Sequence, residues 1–378
     1  MKCSRNGRSG NVLILTLLML TTVVAITAFA IDLGYLCTAR TELQRSADSA
    51  AIAATWRLID PENLVMSDDM SAATAAAKST AAQFAALNPV GSANPALTDD
   101  DVKVGYLSDP SNPDLPMDYS DPNRVNAVQV RVRRNTELNG NVPYFFAPIM
   151  GSDSQGTEAW ATAAVLTAFQ GFKAPESGEN LDFLPFALDK ETWDNMLAGG
   201  GDDDWYWDPE TKSIVSGSDG VREINLYPQG TGSPGNRGTV DVGSNNNSTS
   251  DIARQIVHGV SASDLAYHGG KLELNSDGLL FLNGDTGISA GIKDELLSIK
   301  GKPRIIPIFS TVVGPGNNAT YTIVAFVGIR ILDVKLTGSM NSKRVTIQPA
   351  KVVTKGGIPS TTGGYQSQYV YSNVWLVR

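Results

Sequence analysis

The chain has 378 residues and a net charge of −9, with 18% charged and 42% hydrophobic residues. This length allows two modest domains, and the composition is typical of a folded globular protein. The acidic balance and the lack of a basic patch argue against a nucleic-acid partner. The 36 glycines and 19 prolines favour a turn-rich body with much β-structure.

The first feature along the chain is an apolar run preceded by basic residues. From Val12 to Ile31 no residue is charged, and Asn, Gln, Pro and Gly are absent. Twenty helical residues extend about 30 Å, which is the thickness of the hydrocarbon core of a bilayer. Lys2, Arg5 and Arg8 precede the run. The positive-inside rule therefore predicts a cytoplasmic lead over 1–11, a transmembrane helix over 12–31 and a body outside the inner membrane.

A cleaved signal peptide is the alternative interpretation of this run. Ala28-Phe29-Ala30 fits the A-x-A pattern of a cleavage site after Ala30. The run is longer than the 7–15 apolar residues typical of a signal peptide, which favours a retained anchor. Both interpretations export the body.

The only cysteines, Cys3 and Cys37, flank the apolar run. If the run spans a bilayer, they lie about 30 Å apart and cannot form a disulfide within one chain. The sequence beyond residue 37 carries no disulfide and no thiolate chemistry.

A seam of small residues follows the apolar run. Leu36, Leu43, Ala47, Ala50, Ala54 and Leu58 recur at helical spacing, and neither Gly nor Pro interrupts residues 35–59. This pattern predicts that the membrane helix continues into a long amphipathic helix. Such a seam could receive the next helix of the same chain, predicted over 70–87, or another subunit. The first is favoured.

The stretch "SGNVLILTLLMLTTVVAITAFAIDLGYLCTARTELQRSADSAAIAA" resembles the N-terminal segment of Flp-pilus (Tad, tight-adherence) assembly proteins of the TadE/TadG-like family. Processed pilin-like members carry Glu five residues after the Gly of the cleavage site, where this chain has Leu15. The resemblance is therefore to the anchored TadG-like members. The residues that carry the match and form the membrane-anchor motif are Gly10, Asn11, Asp32, Gly34, Arg40, Leu43, Gln44, Ala47 and Asp48.

The resemblance implies a non-enzymatic, membrane-anchored component of bacterial Flp/Tad pilus assembly or of the tight-adherence apparatus. It implies helix packing and extracytoplasmic contacts with other pilus-assembly subunits, or self-association through the alanine seam. No cofactor and no metal are implied. The predicted location is a single pass through the inner membrane with a periplasmic body.

The next motifs extend the resemblance to residue 170. "RVNAVQVRVRRN" alternates Val128, Val130 and Val132 with polar residues, which predicts a half-buried strand. It is followed by "NVPYFFAPIMG" and by a strand rich in Ala and Thr, an order that resembles the same family. We therefore expect an α+β unit over 32–170, with the long helix packed on a small sheet. Phe145 and Phe146 are predicted to be core residues.

A composition shift over 171–181 predicts a linker, and residues 182–378 are expected to form a β-rich extracytoplasmic domain. Long β-branched runs near its end, above all 321–336, predict a central strand or one bent across two sheets. The predicted interior residues are Ile306, Ile308, Val324, Phe326, Ile329 and Val345.

Chemistry-bearing motifs are sparse. The sequence has two histidines, His258 and His268, and no zinc-protease motif or phosphate-binding loop. Asp202, Asp203 and Asp204 do not match the spacing of a calcium loop, and a solvated loop is favoured there. The alternative function is an exported glycan- or Ca-dependent binding or hydrolytic domain on a membrane anchor, with its site at these carboxylates and at Trp205, Tyr206 and Trp207.

Overall fold

The computed structural model describes residues 11–60, 70–227, 237–246, 248–314, 316–339, 342–360 and 367–378. The helices are α1 (Asn11–Leu58), α2 (Ser71–Ala86), α3 (Lys190–Leu197), α4 (Thr249–His258), α5 (Ala262–Ala266) and α6 (Lys293–Ser298). The first ten strands are β1 (Val102–Gly105), β2 (Ala127–Arg134), β3 (Val142–Pro143), β4 (Ser154–Gln155), β5 (Thr157–Ala164), β6 (Phe169–Lys173), β7 (Phe186–Asp189), β8 (Trp205–Asp208), β9 (Ser213–Ser216) and β10 (Ile224–Asn225). The others are β11 (Arg237–Val240), β12 (Lys271–Glu273), β13 (Leu280–Asp285), β14 (Pro303–Val313), β15 (Ala319–Lys335), β16 (Arg344–Pro349), β17 (Val352–Thr354), β18 (Gly357–Pro359), β19 (Val370–Ser372) and β20 (Trp375–Leu376).

Helix α1 is continuous over 48 residues and has two halves with opposite surroundings. It is long and apolar enough to cross a membrane. Every residue from 12 to 27 is exposed in the isolated chain, whereas Leu43, Ala47 and Ala50 further along the helix are completely buried. The predicted passage from an apolar segment into a packed helix is confirmed.

The second half of α1 lies between α2 and a four-stranded sheet. The sheet order is β1-β2-β5-β20, and its described pairs are antiparallel. Ser46 donates a hydrogen bond to the Ala85 carbonyl in α2 (3.2 Å), while Thr55 donates to the Ala163 carbonyl in β5 (3.2 Å). Because helix and sheet cover opposite sides, the seam of α1 is filled within the chain.

The predicted strand around Val128 is confirmed as β2. Val128, Val130 and Val132 are fully buried, and the residues between them, Gln129 and Arg131, are half-buried. The valines share one hydrophobic core with the alanines of α1 and with Ala77, Ala81 and Ala85 of α2. Small side chains on both helices allow close approach, so this core is built mainly from alanine and valine.

The β-rich part contains a seven-stranded sheet with the order β10-β16-β15-β13-β11-β7-β14. Strand β14 also pairs with β15, so five of these strands form a closed ring. The long strand β15 contacts β13, β14 and β16 along its length. The prediction of a central strand over 321–336 is confirmed, and the predicted interior residues are buried except Val324, which is half-buried.

Two features depart from the predicted division of the chain. Residues 171–173 of the expected linker lie in β6, where Phe172 is fully buried. In addition, Trp375 of β20 pairs with Ala164 of β5, so a late strand completes the first sheet. Local composition shows the Gly and Pro of 171–181 but carries no signal for a pairing between segments so far apart in sequence.

We predict that Ala47→Leu lowers the free energy of unfolding by about 1–3 kcal/mol, because the added atoms have no space in a fully packed seam. The measurement is denaturant unfolding of the full chain in detergent, followed by circular dichroism.

Ala75→Leu is the matched control, because Ala75 is exposed on α2 and Leu is also a good helix former. Equal stability of the two variants would show that the seam is loosely packed.

Candidate functional site: the Asp32 carboxylate at the base of the apolar run

Asp32 is the first charged residue after the apolar run, and its carboxylate binds a distant backbone segment. Its Oδ1 accepts from the Phe145 N–H at 2.7 Å, and its Oδ2 accepts from the Ala147 N–H at 2.7 Å. The Phe146 N–H lies 3.1–3.2 Å from the two oxygens. The side chain is only 4% exposed. Three successive amides therefore surround one carboxylate, a geometry usually seen where a backbone turn binds an anion.

The bound segment is the turn that joins β3 to β4. It forms a short 3-10 helix, Ala147–Met150, whose second residue is Pro148. Gly151 follows with φ of 88°, a left-handed conformation in which glycine carries no side-chain penalty. Its N–H donates to the Pro148 carbonyl at 3.0 Å. Pro and Gly thus shape a turn whose free amides face α1.

Two opposing effects act on the pKa of Asp32. Burial raises it, but the hydrogen bonds from Phe145, Ala147 and Phe146 stabilise the charged form, and the net result is a lowered pKa. Asp32 is therefore ionised at neutral pH and holds the turn by charge-assisted hydrogen bonds. Tyr35, one turn further along α1, adds an edge-to-face contact with Phe145 at 5.0 Å between ring centroids.

The apolar side chains of this turn point into solvent. Phe145 is 62% exposed, Phe146 40%, Ile149 87% and Met150 90%. The prediction that Phe145 and Phe146 belong to the core is therefore wrong. The sequence shows their hydrophobicity but not that the backbone amides, rather than the rings, face the protein.

The remaining motif residues occupy several environments. Leu43 and Ala47 lie in the core, whereas Gly34 and Arg40 are exposed. Gln44 donates to the Asp48 carboxylate at 2.8 Å and to the Trp160 carbonyl at 2.9 Å, which links α1 to β5. Asn11 begins α1, and Gly10 lies outside the described residues. Among the described side chains of this motif, only that of Asp32 binds the β3–β4 turn.

Two protein-family models match the N-terminal part of the chain. A family described as Flp pilus-assembly TadE/G-like matches residues 10–81, and one described as Tad-like Flp pilus-assembly matches residues 53–163. The N-terminal part of this chain is therefore similar to Flp pilus-assembly proteins of the TadE/G-like kind. Together the matches include α1, α2, the β3–β4 turn and most of β5. No curated protein and no solved structure matches the chain significantly.

Outside the region that these families match, the Asp203 carboxylate of the 202–204 run has structural partners. Asp203 accepts from the Ser218 hydroxyl at 2.7 Å and from the backbone N–H groups of Asp219 and Gly220. Trp207 packs against the guanidinium of the buried Arg330, 4.5 Å from its ring centroid. Strand β8 is half-buried throughout, so its aromatic rings do not form an open platform. Among the described residues, no group of three or more His, Cys, Asp or Glu side chains could hold a metal ion.

Glu223, behind the same loop, is a buried titratable residue that sequence reasoning missed. Its Oε1 accepts from the Trp205 N–H at 2.6 Å, whereas Oε2 has no hydrogen-bond partner among the described residues. Burial raises the pKa of Glu223 to about 7, and the charges of Asp204 and Asp203 add to this effect. The sequence shows that Asp203 and Asp204 are present, but it does not show that Glu223 is buried, because that burial depends on tertiary contacts.

We predict that Asp32→Ala speeds hydrogen–deuterium exchange at the amides of Phe145, Phe146 and Ala147, because it removes their acceptor. Since the pKa of Asp32 is lowered by folding, the protection is present above the ordinary pKa of the group and is lost as the pH falls through the lowered value. Exchange is measured by mass spectrometry and corrected for the intrinsic rate at each pH.

Asp48→Ala is the control for this test, because Asp48 lies on the same helix and does not bind the turn. If both variants leave the exchange of these amides unchanged, the carboxylate does not hold the turn.

We predict that the stability of the chain falls as the pH rises from about 4.5, the ordinary pKa of Glu, to about 7 because of Glu223. The folded chain binds the proton of Glu223 more tightly than the unfolded chain does, so ionisation at higher pH opposes folding. Glu223→Gln removes this dependence and is more stable relative to wild type at pH 8 than at pH 4.5. Thermal unfolding across this range measures the difference.

Glu210→Gln provides the comparison, because Glu210 is exposed in the β8–β9 turn. If the wild type and Glu223→Gln have parallel pH profiles, Glu223 is not preferentially protonated in the folded chain.

Proposed function

We propose that this chain is a non-enzymatic, membrane-anchored component of the Flp/Tad pilus-assembly apparatus. In this proposal residues 12–31 stay in the inner membrane, the lead over 1–11 is cytoplasmic, and the body lies on the extracytoplasmic side. One observation carries the proposal. The helix that matches a pilus-assembly family passes without a break from an exposed apolar segment of membrane length into the core of the body.

The continuity of α1 favours retention of the anchor. Cleavage after Ala30 would leave Asp32 at the second position of a new N-terminus, where a helix end frays. The Asp32 carboxylate would then have to hold the β3–β4 turn from a frayed end. The basic residues Lys2, Arg5 and Arg8 favour a cytoplasmic N-terminus.

The proposed role is to hold an extracytoplasmic surface for other pilus-assembly subunits close to the membrane. The alanine seam is covered by α2 and the first sheet of the same chain, so we place subunit contacts on the exposed surfaces of the body. Helix packing then acts within the chain, where it joins the anchor rigidly to the body.

The test uses cells that lack the chain and receive one of two variants. In the first, a cleavable secretory signal replaces residues 1–31, so that the body is exported without a tether. In the second, an unrelated 20-residue Leu/Ala span replaces residues 12–31. Because the proposal depends on tethering and not on the identity of the span, we expect the first variant to lose surface pili and the second to keep them, measured in sheared surface fractions.

Orientation is checked by labelling Cys37, which is exposed in the described chain. A membrane-impermeant maleimide should label Cys37 but not Cys3 in cells with a permeabilised outer envelope. Full piliation by the untethered body would contradict the anchoring, and normal piliation without the chain would contradict the pilus role.

A further inference from the structure

The exposed side chains of the β3–β4 turn form an apolar surface, which we call the apolar foot: Phe145, Phe146, Ile149 and Met150. Ile149 and Met150 are almost fully solvent-exposed in the described chain. No charged residue occurs from Tyr144 to Ser152. A solvated loop seldom presents four large apolar side chains together without a charge, so this surface requires a binding partner.

The apolar foot is fixed to α1 at one position. The Asp32 carboxylate binds three consecutive amides at its start, and Tyr35 packs against the ring of Phe145. The foot is therefore held at a fixed position along α1, next to Ile31, where the apolar run ends.

The order of contacts along α1 shows where the foot lies along the axis of this helix. Thr55 contacts Ala163, Gln44 contacts Trp160, and Asp32 contacts the turn at 145–147. Of these three contacts, the one with the β3–β4 turn lies nearest to the apolar run. On that run Ala28 is the first half-buried residue, one helical turn before Asp32.

We propose that the apolar foot inserts into the headgroup and acyl-chain boundary of the leaflet from which α1 emerges. This inference rests on the proposed anchoring of α1. A 20-residue span places Ile31 at the edge of the hydrocarbon core, so the foot lies where aromatic and apolar side chains are favoured in membrane proteins. The absence of charge removes the main cost of insertion. The foot lies beside the membrane-spanning segment, so the lipid surface is the partner that it can reach directly.

The foot gives the protein a second membrane contact beside the helix. A single helix can tilt and rotate in a bilayer, whereas packing and interfacial anchors set its tilt and rotation. With Asp32 as the rigid link, foot and helix together orient the body, so that the same face is presented to other subunits.

The test places a fluorophore on the foot in full-length protein. Met150→Cys is made in a Cys3→Ser, Cys37→Ser background, labelled with NBD and reconstituted in nanodiscs of phosphatidylethanolamine and phosphatidylglycerol. We expect a blue-shifted emission and quenching by lipids that carry a nitroxide near the headgroup. Nitroxides at the end of the acyl chain should quench less.

Two further labels make the outcome decisive. Leu87→Cys is the matched control, because Leu87 is exposed and apolar. Its neighbour Asn88 contacts Ser49, about 25 Å along α1 from Asp32. We expect no lipid quenching at this site. Val23→Cys reports the span itself and should be quenched most strongly by deep nitroxides.

The results separate the two proposals. Quenching at Val23→Cys without quenching at Met150→Cys overturns the foot and leaves the anchor intact. No quenching at either position overturns the anchor and, with it, the foot. A blue-shifted Met150→Cys label that does not respond to nitroxide lipids shows that protein covers the surface, either a second copy or another subunit, and also overturns lipid insertion.

Discussion

A single continuous helix, α1, has an exposed apolar half and a half buried in a core. The other elements of the N-terminal α+β unit pack around the buried half. The first half of α1 has side chains suited to hydrocarbon, and the second half has a narrow seam of alanine suited to close packing. Backbone hydrogen bonds within the helix satisfy its polar groups in both environments. Since no break separates the halves, the orientation of the anchor and that of the core cannot change independently.

Asp32 lies where the two environments meet. A carboxylate there would be costly without partners, because burial disfavours its charge. The three amides of the β3–β4 turn offset that cost, and in return the turn gains an acceptor for donors that no helix or strand satisfies. The same interaction therefore stabilises the end of the apolar run and positions a loop of the sheet.

Periodicity and family resemblance predicted α1, α2, β2 and the long strand β15, because each depends on a pattern carried within one segment. The matched motif included Asp32 but gave no role for it, since its partners come 113 to 115 residues later. Hydrophobicity predicts that Phe145 and Phe146 belong to the core, but it does not show whether a side chain points into the protein or away from it. The burial of Glu223 and the pairing of β20 with β5 also depend on tertiary contacts that no local pattern records.

The pairing of β20 has a consequence for the order of synthesis. Leu166 and Ser372 are 206 residues apart along the chain, yet they are joined by a hydrogen bond beside this strand pair. One edge of β5 is therefore unpaired until nearly all of the described chain has been made. An unpaired edge is a template for wrong β-pairing. During this interval the incomplete sheet is exposed to such pairing, and a chain truncated before β20 would expose that edge permanently to neighbouring copies.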